Sequence, residues 1–240
     1  MNGKGYDENE NVIYELINGN GKIKEYNDNG KLIFEGEYLN GKRNGKGKEY
    51  NEFNGELKFE GKYLNGTRNG KGKEYNEFNG KIEFEGEYLN EERWNGKVKE
   101  YNIFGELIFE GEYLNGKRNR KGKEYNDNGE LIFEGEYLNG TRNGKGKEYN
   151  KFNGNLIFEG EYLNGTRNGK GKEYNEYNGK IEFEGEYLDG KIWNGKAYDE
   201  NANVIYELIN GNGKIKEYND NGKLIFEGEY LNGKRNRKGK

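Results

Sequence analysis

The chain has 240 residues, of which 30% are apolar, 15% aromatic and 35% charged. Its 40 lysines and arginines nearly balance 44 aspartates and glutamates, and no basic block stands out, which argues against nucleic-acid binding. The sequence contains no Ser, Gln, His, Pro or Cys, which excludes serine and cysteine triads, imidazole bases and disulfides. No run approaches the roughly 18 apolar residues of a membrane span, and the first residues lack an apolar leader. We therefore expect a soluble, cytoplasmic chain.

A repeat of 24 to 26 residues runs through the sequence. The string FEGEYLNG, with single variants FEGKYLNG, FEGEYLNE and FEGEYLDG, recurs with its phenylalanine at positions 34, 59, 84, 109, 133, 158, 183 and 226. A second string ending in Glu-Tyr closes the segment between two such copies, as at Tyr50 and Tyr75. Self-similarity at a fixed period is the signature of a repeat architecture. Because every copy carries the same residues, no single copy is a candidate active site.

Each repeat predicts one β-hairpin. Two short alternating segments are separated by Asn-Gly turns, and Asn and Gly are the residues that tolerate the positive φ angles of tight hairpins. The frequent glycines and the period of two both disfavour helix. We therefore predict an all-β fold: an elongated antiparallel meander of β-hairpin repeats, twisted, single-layered and open at both ends. Such strands expose unpaired backbone at the two ends, so we also expect end-to-end association or a partner there.

Strand alternation sorts the side chains into two faces. Phe34, Gly36 and Tyr38 share one face, and we expect the rings to cover the bare backbone of neighbouring glycines, Gly45 and Gly47. The same spine is predicted at Phe59, Gly61 and Tyr63. On the other face we expect Lys46 and Lys48 to oppose Glu35 and Glu37 as a cross-strand charge ladder.

A longer duplication lies on top of the short period. Residues 3–48 and 195–240 are identical except at Gly5/Ala197, Glu10/Ala202 and Gly45/Arg237. We expect residues 1–240 to be one continuous array of about ten hairpins, without an internal domain boundary, taken from a longer array.

A few positions break the pattern and are the candidates for something non-repetitive. The two tryptophans, Trp94 and Trp193, stand in altered connectors, with Arg93 before the first. Trp is enriched at interaction hot spots, although packing within the connector is the alternative. The strands around Tyr14 and Tyr206 read Val-Ile-Tyr-Glu-Leu-Ile instead of the FEGEY pattern. These five residues are the predicted interaction sites.

The spacing Phe-x-Gly-x-Tyr-x-Asn-Gly-Lys-Arg-Asn-Gly-x-Gly, from Phe34 to Gly47, resembles the MORN (membrane occupation and recognition nexus) repeat, and it is closest to the MORN-variant form. In this sequence Tyr stands where the family usually has Trp, and Arg120 and Arg237 replace a motif glycine. The resemblance implies a twisted single-layer sheet with a groove that acts as a scaffold or interaction module. It also implies membrane or phosphoinositide binding as an alternative.

Catalytic and metal sites find little support in the residues. The strings Asp7–Asn11 and Asp199–Asn203 resemble oxygen-rich calcium loops but lack the spacing of an EF-hand, so solvated turns are the preferred interpretation. Paired carboxylates such as Glu35 and Glu37 recur in every repeat beside lysines, which favours the charge ladder over a glycosidase pair. Gly-x-Gly strings precede no helix and so lack a phosphate-binding dipole. We expect no enzyme activity, cofactor, metal or small-molecule substrate.

The function we expect is that of a structural scaffold whose partners are proteins or further copies of itself. Three glycosylation sequons, at Asn65, Asn139 and Asn164, leave open an extracellular fibre or adhesin if a secretion signal lies upstream.

Overall fold

The computed structural model describes residues 2–6, 12–218 and 224–236, and every regular element within them is a strand. In chain order the strands are β1 (Gly3–Tyr6), β2 (Val12–Leu16), β3 (Gly21–Tyr26), β4 (Leu32–Leu39), β5 (Lys42–Tyr50), β6 (Leu57–Leu64), β7 (Thr67–Tyr75), β8 (Ile82–Leu89), β9 (Glu92–Tyr101), β10 (Leu107–Leu114), β11 (Lys117–Tyr125), β12 (Leu131–Leu138), β13 (Thr141–Tyr149), β14 (Leu156–Leu163), β15 (Thr166–Tyr174), β16 (Ile181–Leu188), β17 (Lys191–Tyr198), β18 (Val204–Leu208), β19 (Gly213–Tyr218), β20 (Leu224–Leu231) and β21 (Lys234–Arg235). The described residues contain no helix that could cross a membrane.

The chain divides into two compact units, residues 1–118 and residues 119–240. In the first unit β1 pairs with β2, and β3 to β10 lie side by side in chain order with antiparallel neighbours. In the second unit, from residue 119 onward, β11 to β18 also lie side by side in chain order with antiparallel neighbours. Strands β19 to β21 form a three-stranded sheet. The predicted all-β meander of hairpins is confirmed.

The Asn-Gly connectors form tight turns with both central residues at positive φ. Asn40 and Gly41 have φ angles of 52° and 78°, and Asn164 and Gly165 have 49° and 87°. This is the turn whose twist matches that of the flanking strands, and Asn and Gly adopt it at the least steric cost. In the three turns that contain the sequons, the threonine hydroxyl also forms a hydrogen bond. Thr166 Oγ1, for example, donates to the carbonyl of Leu163 at 3.0 Å.

The phenylalanines form the core of the sheet. Seven of them have at most 1% of their surface exposed, namely Phe34, Phe59, Phe84, Phe109, Phe133, Phe158 and Phe183. Five of them, Phe34, Phe59, Phe133, Phe158 and Phe183, lie against glycines of their own and the next strand: a Cβ added to Gly47 would lie 2.6 Å from Cζ of Phe34, and one added to Gly36 would lie 2.7 Å from the same atom. The ring therefore occupies the space that side chains at these positions would need. We call this side of each unit the aromatic face.

Gly45 differs from the expectation that an aromatic ring covers it. Three residues, Asn44 to Lys46, stand opposite the single residue Glu37, because Gly36 pairs with Gly47 and Tyr38 pairs with Arg43. Gly45 lies inside this bulge with φ of 89°, against the carboxylate of Glu37. Glycine is favoured at this position because the backbone is left-handed there. In β11 the equivalent residue is Arg120, which adopts φ of 60°.

Candidate functional site

On the aromatic face, an arginine lies over most of the buried phenylalanines, and several of these arginines join two glutamates. In the second unit, the guanidinium carbon of Arg167 lies 4.0 Å from the ring centroid of Phe158. Arg167 Nη1 donates to Glu173 Oε1 at 2.7 Å, and Nη2 donates to Glu148 Oε2 at 2.5 Å. The hydroxyl of Tyr162 donates to the other oxygen of Glu148 at 2.7 Å. Forked arginine–carboxylate bonds of this kind are among the stronger ones in proteins.

The same bonds continue from hairpin to hairpin as chains of alternating charge. The first unit has Glu25–Arg43–Glu49–Arg68–Glu74–Arg93–Glu83, and the second has Glu124–Arg142–Glu148–Arg167–Glu173. These chains were not predicted from the sequence, where pairing of charges was expected only on the opposite face, between Lys46, Lys48, Glu35 and Glu37. Strand alternation contained the signal, because Arg43 and Glu49 share the parity of Gly47.

The pKa shifts within these chains follow from burial and pairing. Burial by itself would raise the pKa of Glu148, but hydrogen bonds from Arg167 and Tyr162 outweigh it and hold the pKa below its usual value. Glu49 behaves in the same way with Arg68 and Tyr63. A carboxylate saturated by two donors is a poor proton acceptor. Glu148 and Glu49 are therefore held as charged ion-pair partners within these chains.

The strand that carries Trp94, β9, changes the register of the aromatic face. In β7, Glu74 stands opposite both Phe59 and Phe84. In β9, Val98 stands opposite Phe84 and Glu100 stands opposite Phe109, so the aromatic row moves by two residues along the strand. Two differences produce the step. The bulge against β8 inserts only Trp94, where other hairpins set three residues against one, and β9 is one residue longer than β7. Val98, 2% exposed, fills the space left at the step.

The tryptophans themselves pack against the next connector. The ring of Trp94 lies 3.8 Å from the position a Cβ would take on Gly116, whose N–H donates to the Trp94 carbonyl at 2.9 Å. Trp193 has the same relation to Gly211, with a hydrogen bond of 2.6 Å. Both tryptophans are half-buried. This geometry corresponds to the packing alternative, and a role in partner binding stays a prediction.

The other predicted interaction residues also have places inside the sheet. Arg93 lies within the first charge chain and donates from Nε to Glu74 Oε2 at 2.7 Å. The ring of Tyr14 occupies the space beside Gly5, and Tyr206 stands opposite Ala197 in the β17–β18 pair. Of the two oxygen-rich strings, 7–11 lies outside the described residues. In the other, Asp199 Oδ1 accepts the N–H of Asn201 and of Asn203 at 2.9 and 2.8 Å, which is a capped turn.

One arginine of the pattern is missing in the second unit. Segments 81–98 and 180–197 are nearly identical, but Ile192 stands opposite Tyr187 where Arg93 stands opposite Tyr88. Glu173 keeps Arg167 as a partner, yet burial raises its pKa above the usual value, and nearby Glu182 adds to the shift. The folded state therefore holds the proton of Glu173 more tightly than the unfolded chain does. This group lowers stability as the pH rises from the usual carboxyl range to the raised pKa.

Replacing Ile192 with arginine should therefore stabilise the protein. We expect Ile192→Arg to raise the free energy of unfolding by about 1 kcal/mol at pH 7, with a smaller gain at pH 4 where Glu173 is protonated. Urea unfolding at the two pH values measures both quantities. Ile192→Leu is the control and should change little at either pH. A gain that is equal at pH 4 and pH 7 would contradict the assignment to Glu173.

The opposite side of each unit, which we call the charged face, carries the predicted ladder. Glu35 stands opposite Lys48, and Lys48 stands opposite Glu60 on its other side. Tyrosine hydroxyls also bond there: Tyr50 donates to Glu35 Oε1 at 2.7 Å, and burial together with this bond raises the pKa of Tyr50 to about 12. The expected partnership of Lys46 and Glu37 takes another form, because the backbone N–H of Lys46 donates to Glu37 Oε2 at 3.0 Å.

A groove of 910 Å³ lies on the charged face of the first unit. Its floor is peptide backbone at glycine positions, since the space beside these glycines on the other face is filled by phenylalanine. Lysines and glutamates form both walls, and the lining extends from β3 to β8, about 24 Å at the usual strand spacing. The groove is long and open, and charged side chains border it along its whole length. This shape suits a segment of another macromolecule.

Sequence comparison identifies the repeat. The MORN repeat matches residues 34–51, 59–76, 109–130, 133–151, 158–175 and 226–240. No curated protein matches the chain. MORN-repeat proteins generally bind proteins or membranes and are generally non-enzymatic.

Solved structures give only distant likenesses. The structure described as TcdB2-TccC3-Cdc42 is 12% identical with a TM-score of 0.27, over 97% of this chain and 14% of that one. The Photorhabdus luminescens Tc holotoxin pore is 11% identical with a TM-score of 0.25, over 95% of this chain and 15% of that one. This chain thus spans a small fraction of each, and scores of this size carry no argument about fold or function.

Proposed function

Because the chain belongs to the MORN-repeat family, we propose that it is a non-enzymatic scaffold whose charged face binds a segment of a protein partner. The observation that carries this proposal is the groove of the first unit, with its backbone floor and its walls of lysine and glutamate. The aromatic face is occupied by its own rings and ion-pair chains, and the described residues contain no group of three or more His, Cys, Asp or Glu side chains suited to a metal ion.

The charge of the groove supports a protein partner over an anionic membrane. One wall alternates strictly in sign, with Lys48, Glu60, Lys73 and Glu85 on successive strands. Attraction of anionic lipid depends on clusters of four to eight basic residues without interspersed acids. A wall of alternating charge is instead complementary to a partner segment that carries both signs.

Site-specific photo-crosslinking tests the proposal. With p-benzoylphenylalanine in place of Lys48 in the groove, we expect a discrete protein adduct in the cells that produce this chain. The control is the same substitution at Asn54, an exposed turn residue outside the groove lining, which should give no such adduct. Adducts to lipid alone, or equal adducts from both positions, would contradict a protein-binding groove. Self-assembly through the terminal strands stays a separate prediction.

A further inference from the structure

One lysine in the groove breaks the repeat in a way that creates a local positive charge. The FEGEY strand becomes FEGKY at β6, so that Lys62 replaces a glutamate; the other copies of this position are Glu37, Glu87, Glu112, Glu136, Glu161, Glu186 and Glu229. Lys62 is exposed and lines the groove.

In the regular hairpins this glutamate supplies an acceptor to the bulge of the next strand. Glu37 Oε2 accepts the backbone N–H of Lys46 at 3.0 Å, and Glu161 Oε2 accepts that of Lys170 at 3.2 Å. At β6 the ammonium of Lys62 cannot accept a hydrogen bond. Its methylene groups cover the bulge instead: a Cβ on Gly70 would lie 3.4 Å from Cδ of Lys62. The internal acceptor is thus replaced by a cation.

The substitution also brings three lysines together on neighbouring strands. Lys46 stands directly opposite Lys62, whereas the equivalent pair in the second unit is Lys145 opposite Glu161. Lys71, the residue that follows the bulge glycine in β7, adds the third. Within the described residues none of the three has a carboxylate oxygen within 4.0 Å of its ammonium. Like charges directly opposite each other are unfavourable unless something neutralises them.

We propose that Lys46, Lys62 and Lys71, which we call the lysine triad, bind an acidic side chain of the peptide segment that occupies the groove. This inference rests on the proposed function and adds the chemistry of the partner. A carboxylate between the three ammonium groups removes their mutual repulsion and takes the place of the missing glutamate. Glu60 and Glu87 also line the groove, so the positive charge is local, which suits one acidic residue of a peptide better than a sheet of lipid headgroups.

The repeat offers a matched pair of variants that leave the fold unchanged. Lys62→Glu restores the residue found in the other hairpins. Glu161→Lys creates the same triad in the second unit, because segments 158–174 and 59–75 differ only at this position and Lys145 stands opposite Glu161. The probe is a fluorescein-labelled peptide of four Glu-Gly pairs, followed by fluorescence anisotropy with the full chain.

We expect one peptide per chain, with affinity about tenfold lower for Lys62→Glu at low salt and a smaller difference at high salt. Glu161→Lys should raise the stoichiometry to two, and the double variant should return it to one. Unchanged peptide affinity in Lys62→Glu would overturn the proposal. The proposal would also be overturned if Lys62 were needed for binding phosphate ions or phosphatidylserine vesicles while the peptide did not bind. If the protein crosslinked at position 48 were captured equally well in the Lys62→Glu background, the scaffold proposal would stand and only the role of the lysine triad would be contradicted.

Discussion

Replacing Phe158 with alanine should lower the free energy of unfolding by about 3–5 kcal/mol. The ring is fully buried, with centroids of Tyr162 and Tyr187 at 5.6 and 5.3 Å in edge-on contact and the guanidinium of Arg167 over its face. A sheet with glycine beneath its rings has no other side chain that could fill the cavity. Chemical denaturation followed by circular dichroism measures the loss.

The chain contains its own control for this substitution. Phe152 lies six residues earlier in the connector between β13 and β14 and is 80% exposed. Phe152→Ala removes the same atoms without emptying a packed site, so it should change stability by no more than about 0.5 kcal/mol. Equal losses from the two variants would show that Phe158 does not form the core of its hairpin.

Replacing Arg167 with leucine should cost about 1.5–3 kcal/mol at pH 7, and the cost should shrink on acidification. The substitution removes the fork to Glu148 and the bond to Glu173. Since the folded pKa of Glu148 lies below its usual value, its stabilising effect is present above the unfolded pKa and is lost as the pH falls through the folded one. The variant lacks this contribution at every pH, so the difference in stability between the two proteins should shrink as the pH falls through the folded pKa of Glu148.

Lys170→Leu is the matched control for Arg167→Leu. It removes one positive charge from the same strand, but Lys170 is exposed on the charged face and keeps its backbone bond to Glu161. We expect a change of no more than about 0.5 kcal/mol that does not depend on pH. Unfolding curves of the three proteins at pH 3, 5 and 7 separate these outcomes. A loss for Arg167→Leu that is the same at pH 3 as at pH 7 would contradict the role assigned to the Glu148 pair.

Local sequence chemistry was sufficient to predict the fold and part of the aromatic face. Alternation, Asn-Gly turns and the 24 to 26 residue period predict antiparallel hairpins because each is a property of neighbouring residues. The position of Phe34 over Gly36 and Gly47 follows from the same alternation. The arginine–glutamate chains were within reach of this reasoning, because Arg43 and Glu49 have the same parity as Gly47, but neither residue was assigned to a face.

The sequence by itself therefore determined the strands, the turns and the residues that form the repeating core. Only the tertiary structure decided which strands keep the common register and which do not. The step at Trp94 depends on the offset of β9 against β8 and on its offset against β10, and each offset is set by the pairing of two strands. The lysine triad is likewise a property of three strands: Lys62 is an ordinary surface residue until the register places Lys46 opposite it. Contacts between strands fix both features, because alternation along one strand carries no information about its neighbour's offset.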